Sequence, residues 1–210
     1  METEESDILG ITERKGRQRA EREHHIIAAA RTIAEREGWS AVTIRRLANE
    51  IEFSQPVIYS HFQNRDAIVE AIAIDGFREL TNALRRAAST NKRRDVPRSV
   101  GMAYLDFARK HSAVYEAMFT LPIGLRFAEV DTKPELKDAF AALAAIVTPS
   151  KTDVELVTET LWAALHGLAE LERTSRIRRR QRKTRVGLLV KSLLLTFLIV
   201  FQGCALSSGM

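Results

Sequence analysis

The run from residue 38 to residue 62, GWSAVTIRRLANEIEFSQPVIYSHF, constrains the fold more than any other part of the chain. Gly38 can adopt the left-handed conformation that ends a helix, so the apolar period before it is predicted to stop there. Thr43 is a good N-cap for a new helix whose apolar residues form one stripe. Ser54 is a good N-cap for the next helix, and Pro56 suits its first turn. The run therefore predicts two short helices joined by a tight turn.

The second short helix, predicted over Ser54 to Phe62, has an inward and an outward face. Ile58 and Phe62 lie four residues apart and are predicted to face the interior, where they pack with an earlier helix that starts near Ile26. Trp39 is expected to cover this small core. The outward side chains are Gln55, Val57, Tyr59, Ser60 and His61. An outward face that carries valine and tyrosine predicts contact with a partner.

The same residues carry a resemblance to a known family. Thr43 followed by Leu47-Ala48, then FSQPVIYSHF, then NRDAI from Asn64 onward is similar to the DNA-binding domain of the tetracycline-repressor (TetR) family, over about residues 17–72. The resemblance implies that the helix starting at Ser54 enters the major groove of double-stranded DNA. One departure is Glu52, which stands in a turn where the family usually has glycine.

The resemblance also implies residue roles. Val57 and Gln55 become candidates for contacts to base edges, and Thr43, Tyr59, His61 and Arg65 become candidates for contacts to phosphates. Glu52 is expected to point away from the DNA or to be paired. The full set of predicted DNA-binding residues is Thr43, Arg45, Ser54, Gln55, Pro56, Val57, Tyr59, Ser60, His61 and Arg65.

Composition fits a nucleic-acid partner without requiring one. The 210 residues carry a net charge of +5 and 45% apolar side chains, enough to fill a core and to favour a polyanion. The single cysteine, Cys204, excludes an intramolecular disulfide framework and agrees with a reducing compartment. An acidic start without a signal sequence leads us to expect a cytoplasmic protein.

The chain divides into four expected segments. Residues 1–16 are polar and are predicted to be a mobile arm, 17–72 the helix-turn-helix domain, 73–205 a ligand-binding and dimerisation domain, and 206–210 a tail. No segment has the alternation of a strand, so the expected fold is all-α, with a three-helix N-terminal domain followed by a helical bundle. A basic run near the arm could bind phosphates or simply be solvated, and both alternatives stay open. Its members are Arg14, Lys15, Arg17, Arg19 and Arg22.

Two apolar repeats near the end of the chain predict helix packing. Their spacing of three and four residues favours a bundle interface, and the second helix is apolar nearly all round, which predicts burial between two subunits. The predicted interface residues of a homodimer are Val157, Leu161, Ala164, Leu168, Leu171, Val186, Leu189, Leu193, Thr196 and Val200. The run Trp162, His166, Gly167 also resembles a C-terminal domain subfamily named for these residues, and Gly167 is expected to permit close helix approach.

A small-molecule effector of unknown identity is expected in the C-terminal domain. Aromatic and sulfur-containing side chains there could line a pocket, although the same residues would suit an ordinary core. The candidates are Met102, Tyr104, Phe107, Met118, Phe119, Phe127, Phe140, Trp162 and His166. Together with the dimer, this predicts a ligand-responsive repressor on a palindromic operator with half-sites about 34–36 Å apart, or a multiple of that.

The alternatives to a DNA-binding regulator are a membrane-associated protein and an enzyme. A membrane-associated protein would use the final apolar helix and the basic run from Arg173 to Arg185, but Lys191 interrupts the apolar stretch and Gln202 closes it, so no span is predicted. An enzyme lacks support, because no nucleophile elbow, phosphate loop or metal-binding motif occurs in the sequence. His166 and Glu170 lie one helical turn apart, a spacing that more often reflects a hydrogen bond than a metal site. Neither a cofactor nor a metal is expected.

Overall fold

The computed structural model describes residues 2–125, 127, 129–147 and 153–195 of the chain. The described part is helical with no strand, which confirms the all-α prediction. Three short 3-10 turns occur, at Trp39–Ala41, Arg93–Asp95 and Arg179–Gln181, and a π-helical turn spans Lys191–Leu195. The α-helices are α1 (Glu2–Glu37), α2 (Ile44–Glu50), α3 (Gln55–Tyr59), α4 (Arg65–Ser89), α5 (Val96–Lys110), α6 (Ser112–Phe119), α7 (Pro134–Ala144), α8 (Val154–Arg173) and α9 (Arg182–Val190).

Helix α1 is longer than the sequence pattern suggested. It begins at Glu2, so residues 2–16, predicted to be a mobile arm, are helical and continuous with the first helix. Residues 13–20 are exposed, and the pair Arg19–Glu23, four residues apart with 3.0 Å between Nε and Oε1, supports the helix locally. A polar helix without an apolar stripe is invisible to a search for hydrophobic periodicity, which explains the difference.

The second half of α1 packs with α2 and α3 into a compact three-helix unit, which we call the head (residues 26–62). Ile26, Ile33, Leu47 and Ile58 are fully buried in its core. Two predicted boundaries are confirmed: α1 ends before Gly38, whose φ is 85°, and the Thr43 hydroxyl accepts a hydrogen bond of 3.1 Å from the backbone N–H of Arg46. Ser54 precedes α3 as predicted, but its side chain makes no capping hydrogen bond. Local capping chemistry thus fixes the head.

Helix α4 leads from the head into a bundle of five further helices, which we call the body. The Asn64 side chain caps α4 by accepting a hydrogen bond of 2.9 Å from the N–H of Ala67. Helix α4 packs on α5, α6 and α7, and α5 in turn packs on α8 and α9. Gly101 on α5 allows this second contact, because a Cβ there would lie 2.9 Å from the Val186 side chain. Pro97 occupies the first turn of α5, where its missing N–H costs no helical hydrogen bond.

The head is joined to the body through the start of α6. Three head residues at helical spacing reach the segment that begins α6: Arg31, Glu35 and Trp39. Arg31 Nη2 lies 2.8 Å from His111 Nδ1 and also pairs with Glu79 on α4. Glu35 accepts a hydrogen bond from the N–H of Val114 at 3.5 Å. These contacts set the orientation of the head on the body.

None of the helices in the described part of the chain has the length and apolarity that crossing a bilayer requires. Residues 196–210, the end of the apolar run on which the membrane alternative depends, lie outside the described residues.

Candidate DNA-binding interface and interior cavity

The outer face of α3 is open to solvent, as the sequence predicted. Tyr59 is 53% exposed, which is unusual for a large aromatic side chain without a partner. Seven of the predicted DNA-binding residues are exposed on this side of the head: Thr43, Arg45, Ser54, Gln55, Pro56, Tyr59 and Ser60. Val57 is half-buried between them. The helix is shorter than predicted, since α3 ends at Tyr59.

His61 does not belong to the open face. Its side chain is only 4% exposed, and Nδ1 lies 3.2 Å from Oε1 of Glu23 on α1. The prediction of an outward His61 is therefore wrong. Because α3 ends two residues earlier, His61 sits in a turn, and the helical period that assigned it to the outer face no longer applies.

The Arg65 side chain also forms hydrogen bonds within the protein. Its Nε donates to the carbonyl of Val42 and its Nη2 to the carbonyl of Trp39, both at 2.8 Å. These two bonds tie the start of α4 to the loop before α2. The guanidinium thereby positions α2 and α3, a role that the sequence prediction of a phosphate contact did not include.

Positive charge is distributed around the open face. Arg45 is exposed and makes no ion pair with any described residue, whereas Arg46 beside it pairs with Glu37 at 3.2 Å and Glu50 at 3.3 Å. Arg19 on α1 donates to the Ser60 carbonyl at 3.2 Å, which places the basic part of α1 next to α3. A convex unit with cations flanking an exposed short helix suits contact with a phosphate backbone on both sides of a groove.

The turn between α2 and α3 contains backbone strain. Glu52 has a φ of 55°, in the left-handed region that favours glycine. Its side chain is exposed. The conformation typical of glycine is thus kept in this turn although the residue is glutamate, and the tight angle between α2 and α3 is preserved.

A small apolar cavity lies in the body. Its volume is about 30 Å³, room for about one water molecule. Five of the predicted effector-binding residues line it: Tyr104, Phe119, Phe127, Phe140 and Trp162. The other lining residues were not predicted; they are Phe77, Leu80, Leu136, Ala139 and Leu143.

The remaining predicted effector residues lie elsewhere. Met118 packs against Gly76, where a Cβ would lie 2.7 Å from its Sδ, and therefore belongs to the α4–α6 contact. Phe107 contacts the His111 ring, with centroids 5.0 Å apart. Met102 is half-buried on α5 and does not line the cavity. His166 lies behind the cavity wall, and its Nδ1 is 2.7 Å from the Tyr115 hydroxyl.

A chain of hydrogen bonds runs along one side of the cavity. Trp162 Nε1 donates to Tyr104 Oη at 3.2 Å, the hydroxyls of Tyr104 and Tyr115 are 3.0 Å apart, and Tyr115 continues to His166. Burial raises the pKa of both tyrosines and lowers the pKa of His166. Nδ1 of His166 is taken by Tyr115, and Glu170 pairs with Arg173 at 2.9 Å.

An open groove adjoins the cavity on the outside. It has a volume of about 470 Å³ and lies between α7, α8 and the loop before α7. Four side chains separate it from the cavity, because they line both: Phe127, Leu136, Phe140 and Trp162. The rings of Phe127 and Trp162 have centroids 5.3 Å apart. Movement of these side chains would join the two spaces.

The predicted dimer residues divide into two groups. Val157, Leu161 and Val186 are buried within the subunit, so their assignment to a subunit interface is wrong; the repeat of three and four residues packs α8 and α9 on α5 of the same chain. Ala164, Leu168, Leu189 and Leu193 are half-buried, and Leu171 is 40% exposed. Thr196 and Val200 lie outside the described residues, as do Cys204 and the expected tail.

The small and apolar residues of α8 that are not buried in the subunit form a second stripe along this helix. They follow at spacings of four, three, four and four residues, with small side chains in the middle and leucines at both ends. We call this set the α8 outer face: Leu156, Thr160, Ala163, Gly167 and Leu171. A Cβ at Gly167 would meet no atom of the subunit within 4 Å.

An ion-pair network that the sequence did not reveal closes the corner between α8 and α9. Glu172 is buried, with a side chain only 4% exposed, and accepts hydrogen bonds from Arg182 Nε at 2.6 Å and Arg185 Nη2 at 2.8 Å. Arg182 continues to Asp106 on α5 at 2.8 Å. Part of the basic run from Arg173 to Arg185 is therefore structural.

Comparisons with known proteins agree with this architecture. Residues 26–72 match the family described as bacterial regulatory proteins, tetR family, and residues 98–193 match the tetracyclin repressor-like C-terminal domain. An uncharacterized HTH-type transcriptional regulator of Mycobacterium tuberculosis is 28% identical over 152 residues, 71% of this chain and 69% of that protein.

Solved structures show the same fold. A protein of unknown function from Rhodococcus sp. RHA1 superposes with a TM-score of 0.70 at 22% identity, covering 83% of this chain and 94% of that one. BioQ, solved with its natural double-stranded DNA operator, superposes with a TM-score of 0.56 at 23% identity, covering 82% and 97%.

The head, its exposed α3 and the helical body together define a helix-turn-helix transcriptional regulator. The two matched domains go further: the chain belongs to the TetR family of DNA-binding regulators. Proteins of this family are transcription factors and not enzymes, which confirms the expectation that the chain has no enzymatic role.

Proposed function

We propose that the protein acts in the cytoplasm as a homodimeric repressor that a small hydrophobic effector releases from a palindromic operator. The observation that carries this proposal is the position of α6. Its first residues bind the head, through Glu35 and Trp39, while its last residue, Phe119, lines the cavity. One eight-residue helix thus touches both the DNA-binding unit and the space for a ligand.

Dimerisation is supported by the α8 outer face. Leu156 and Leu171 are exposed at its ends, and Gly167 leaves room for a neighbouring helix. Leu188 on α9 is 61% exposed. Packing this surface against its own copy about a two-fold axis would bury these residues and place two heads side by side.

Release follows from a shift between two arrangements of the heads. An effector that enlarges the cavity displaces Phe119 and with it α6, and the contacts of α6 pass that displacement to the head. A ligand can release DNA only to the extent that it binds the non-matching arrangement more tightly. The two half-sites of an operator, about 34–36 Å apart or a multiple of that, are read only when both heads have the matching separation.

Footprinting with the purified protein on genomic DNA tests this proposal. We expect one protected palindrome, two chains per site, and affinity that falls when a binding hydrophobic compound is added. Protection of a single half-site by one chain would contradict the dimer. Affinity that stays constant while the cavity is occupied would contradict effector release.

A further inference from the structure

The hydrogen-bonded chain beside the cavity has one direction when the unprotonated nitrogen of neutral His166 is Nδ1. Trp162 can only donate, so in that tautomer Tyr104 donates to Tyr115 and Tyr115 donates to Nδ1 of His166. Each hydroxyl then donates once and accepts once. The chain is complete in itself, and its two ends stand on the same helix, α8.

Every member of this chain is uncharged at neutral pH. Burial raises the pKa of Tyr104 and Tyr115 and lowers that of His166, so all three favour their neutral forms. Arg173 is already paired with Glu170 at 2.9 Å. A charged group placed in this cavity would find no free counter-charge among the lining residues, and its burial would be costly.

The link between Trp162 and Tyr104 is the one that a ligand can open. At 3.2 Å it is the longest of the three, and these two residues are the members of the chain that line the cavity. A group inserted there must accept from the indole N–H and donate to Oη of Tyr104 in its place. A hydroxyl does both, whereas an ether or a carboxylate only accepts.

The other residues that line the cavity favour a ligand with an aromatic ring. Phe77, Phe119, Phe127 and Phe140 surround the space together with Trp162. The Phe119 and Trp162 rings have centroids 5.9 Å apart, a distance at which aromatic rings attract one another. At about 30 Å³ the cavity is too small for a ring, so a ring must push Phe127 and Trp162 toward the outer groove.

We infer that the effector is an uncharged phenol, which inserts its hydroxyl between Trp162 and Tyr104 and lays its ring among the cavity phenylalanines. The inference rests on the proposed effector function of this cavity. It also gives the Trp162, His166, Gly167 motif a physical meaning. The first two residues are the ends of the chain, and Gly167, next to His166, lies on the α8 outer face.

Titration calorimetry with the full-length protein in the absence of DNA tests the inference. The probes are 4-hexylphenol, its methyl ether 4-hexylanisole, and 4-hexylbenzoate. We expect the phenol to bind about 10-fold more tightly than either of the others, the difference of one hydrogen bond or an uncompensated charge. In Tyr104→Phe and in Trp162→Phe the preference for the phenol over the ether should shrink to about twofold, whereas the benzoate should stay the weaker ligand because its charge is still uncompensated.

Tyr59→Phe is the matched control, because it removes a phenolic hydroxyl from the exposed face of the head and should leave the preference unchanged. Equal binding of phenol and ether, tighter binding of the benzoate, no binding of any probe, or an unchanged preference in both cavity variants would overturn the inference. DNA affinity is measured separately. A phenol that binds with this selectivity but does not weaken DNA binding would leave the inference standing and contradict effector release.

Discussion

The indole Nε1 of Trp39, in the head, donates a hydrogen bond of 2.9 Å to the carbonyl of Ala113, in the first turn of α6. The two residues are 74 positions apart in the chain, and both are buried. The backbone carbonyl of Trp39 also accepts from Arg65. Trp39 thus covers the core of the head, as predicted, and in addition fastens the head to the body.

Replacing Trp39 by phenylalanine should loosen this joint. An aromatic ring remains, but the buried hydrogen bond from the indole to the Ala113 carbonyl is lost, so the free energy of unfolding should fall by about 1 kcal/mol. Urea denaturation measures the change. Tyr59→Phe, which removes an exposed donor, is the control and should change stability by less than about 0.5 kcal/mol. Equal stability of the two variants would show that the Trp39–Ala113 bond contributes nothing.

Glu52→Gly should stabilise the protein. Glutamate at φ 55° is strained in a way that glycine is not, and relief of that strain should raise the free energy of unfolding by about 1 kcal/mol. Glu52→Ala removes the same carboxylate but keeps Cβ and the strain, so it should not stabilise. Thermal unfolding of both variants separates the backbone effect from the charge effect. A higher melting temperature for Glu52→Ala than for Glu52→Gly would contradict the explanation.

Glu172→Gln should be strongly destabilising, because in a buried corner it removes the counter-charge of Arg185 and leaves Arg182 with Asp106 alone. The expected loss is about 3 kcal/mol, as for other broken buried pairs. Glu170→Gln, which breaks the more exposed pair with Arg173, should cost less than about 1 kcal/mol. Denaturation of the two variants at neutral pH makes the comparison.

The same network predicts a pH dependence. Burial raises the pKa of Glu172, but the hydrogen bonds from Arg182 and Arg185 outweigh it and hold that pKa below the usual 4.5. The stabilising contribution is therefore present above pH 4.5 and is lost as the pH falls through the lower pKa of the folded state. The stability difference between wild type and Glu172→Gln should shrink toward zero below that range. A difference that stays constant into acid would contradict this assignment.

The α8 outer face predicts which substitution separates the subunits. Ala163 is exposed in one chain and central in this face, so Ala163→Arg should leave the fold intact and place two cations against each other in a dimer. Analytical ultracentrifugation should report a monomer at concentrations where wild type is a dimer. Ala141→Arg, on the exposed side of α7, is the matched control and should remain dimeric. An unaffected Ala163→Arg dimer would place the interface elsewhere.

The parts of this fold that depend on neighbouring residues could be predicted from the sequence. Gly38 and Thr43 fix helix ends through their own backbone and side-chain chemistry, and each acts where it was predicted to act. The exposed Tyr59 followed from the helical period of α3. The position of His61 did not follow from it, because the helical period holds only within α3, which ends at Tyr59.

The sequence pattern did not predict which distant segments contact each other. An apolar repeat says that a helix face is buried, but Val157 and Leu161 could have met a second subunit as well as α5. Likewise, nothing near Tyr115 in the sequence indicates that its hydroxyl meets Tyr104 and His166. Such pairings depend on how the helices cross, which a single sequence does not encode locally.

The central claim, that the open face around α3 holds DNA, is tested most directly by comparing two arginines. Arg45 lies on that face, and Arg180 is equally exposed in the basic run of the body. Fluorescence anisotropy on the footprinted DNA should show that Arg45→Ala weakens binding by about 10-fold and lowers the salt dependence by about one to two ions per dimer. Arg180→Ala should bind as wild type does. Wild-type affinity in Arg45→Ala, with the loss appearing in Arg180→Ala, would contradict the account.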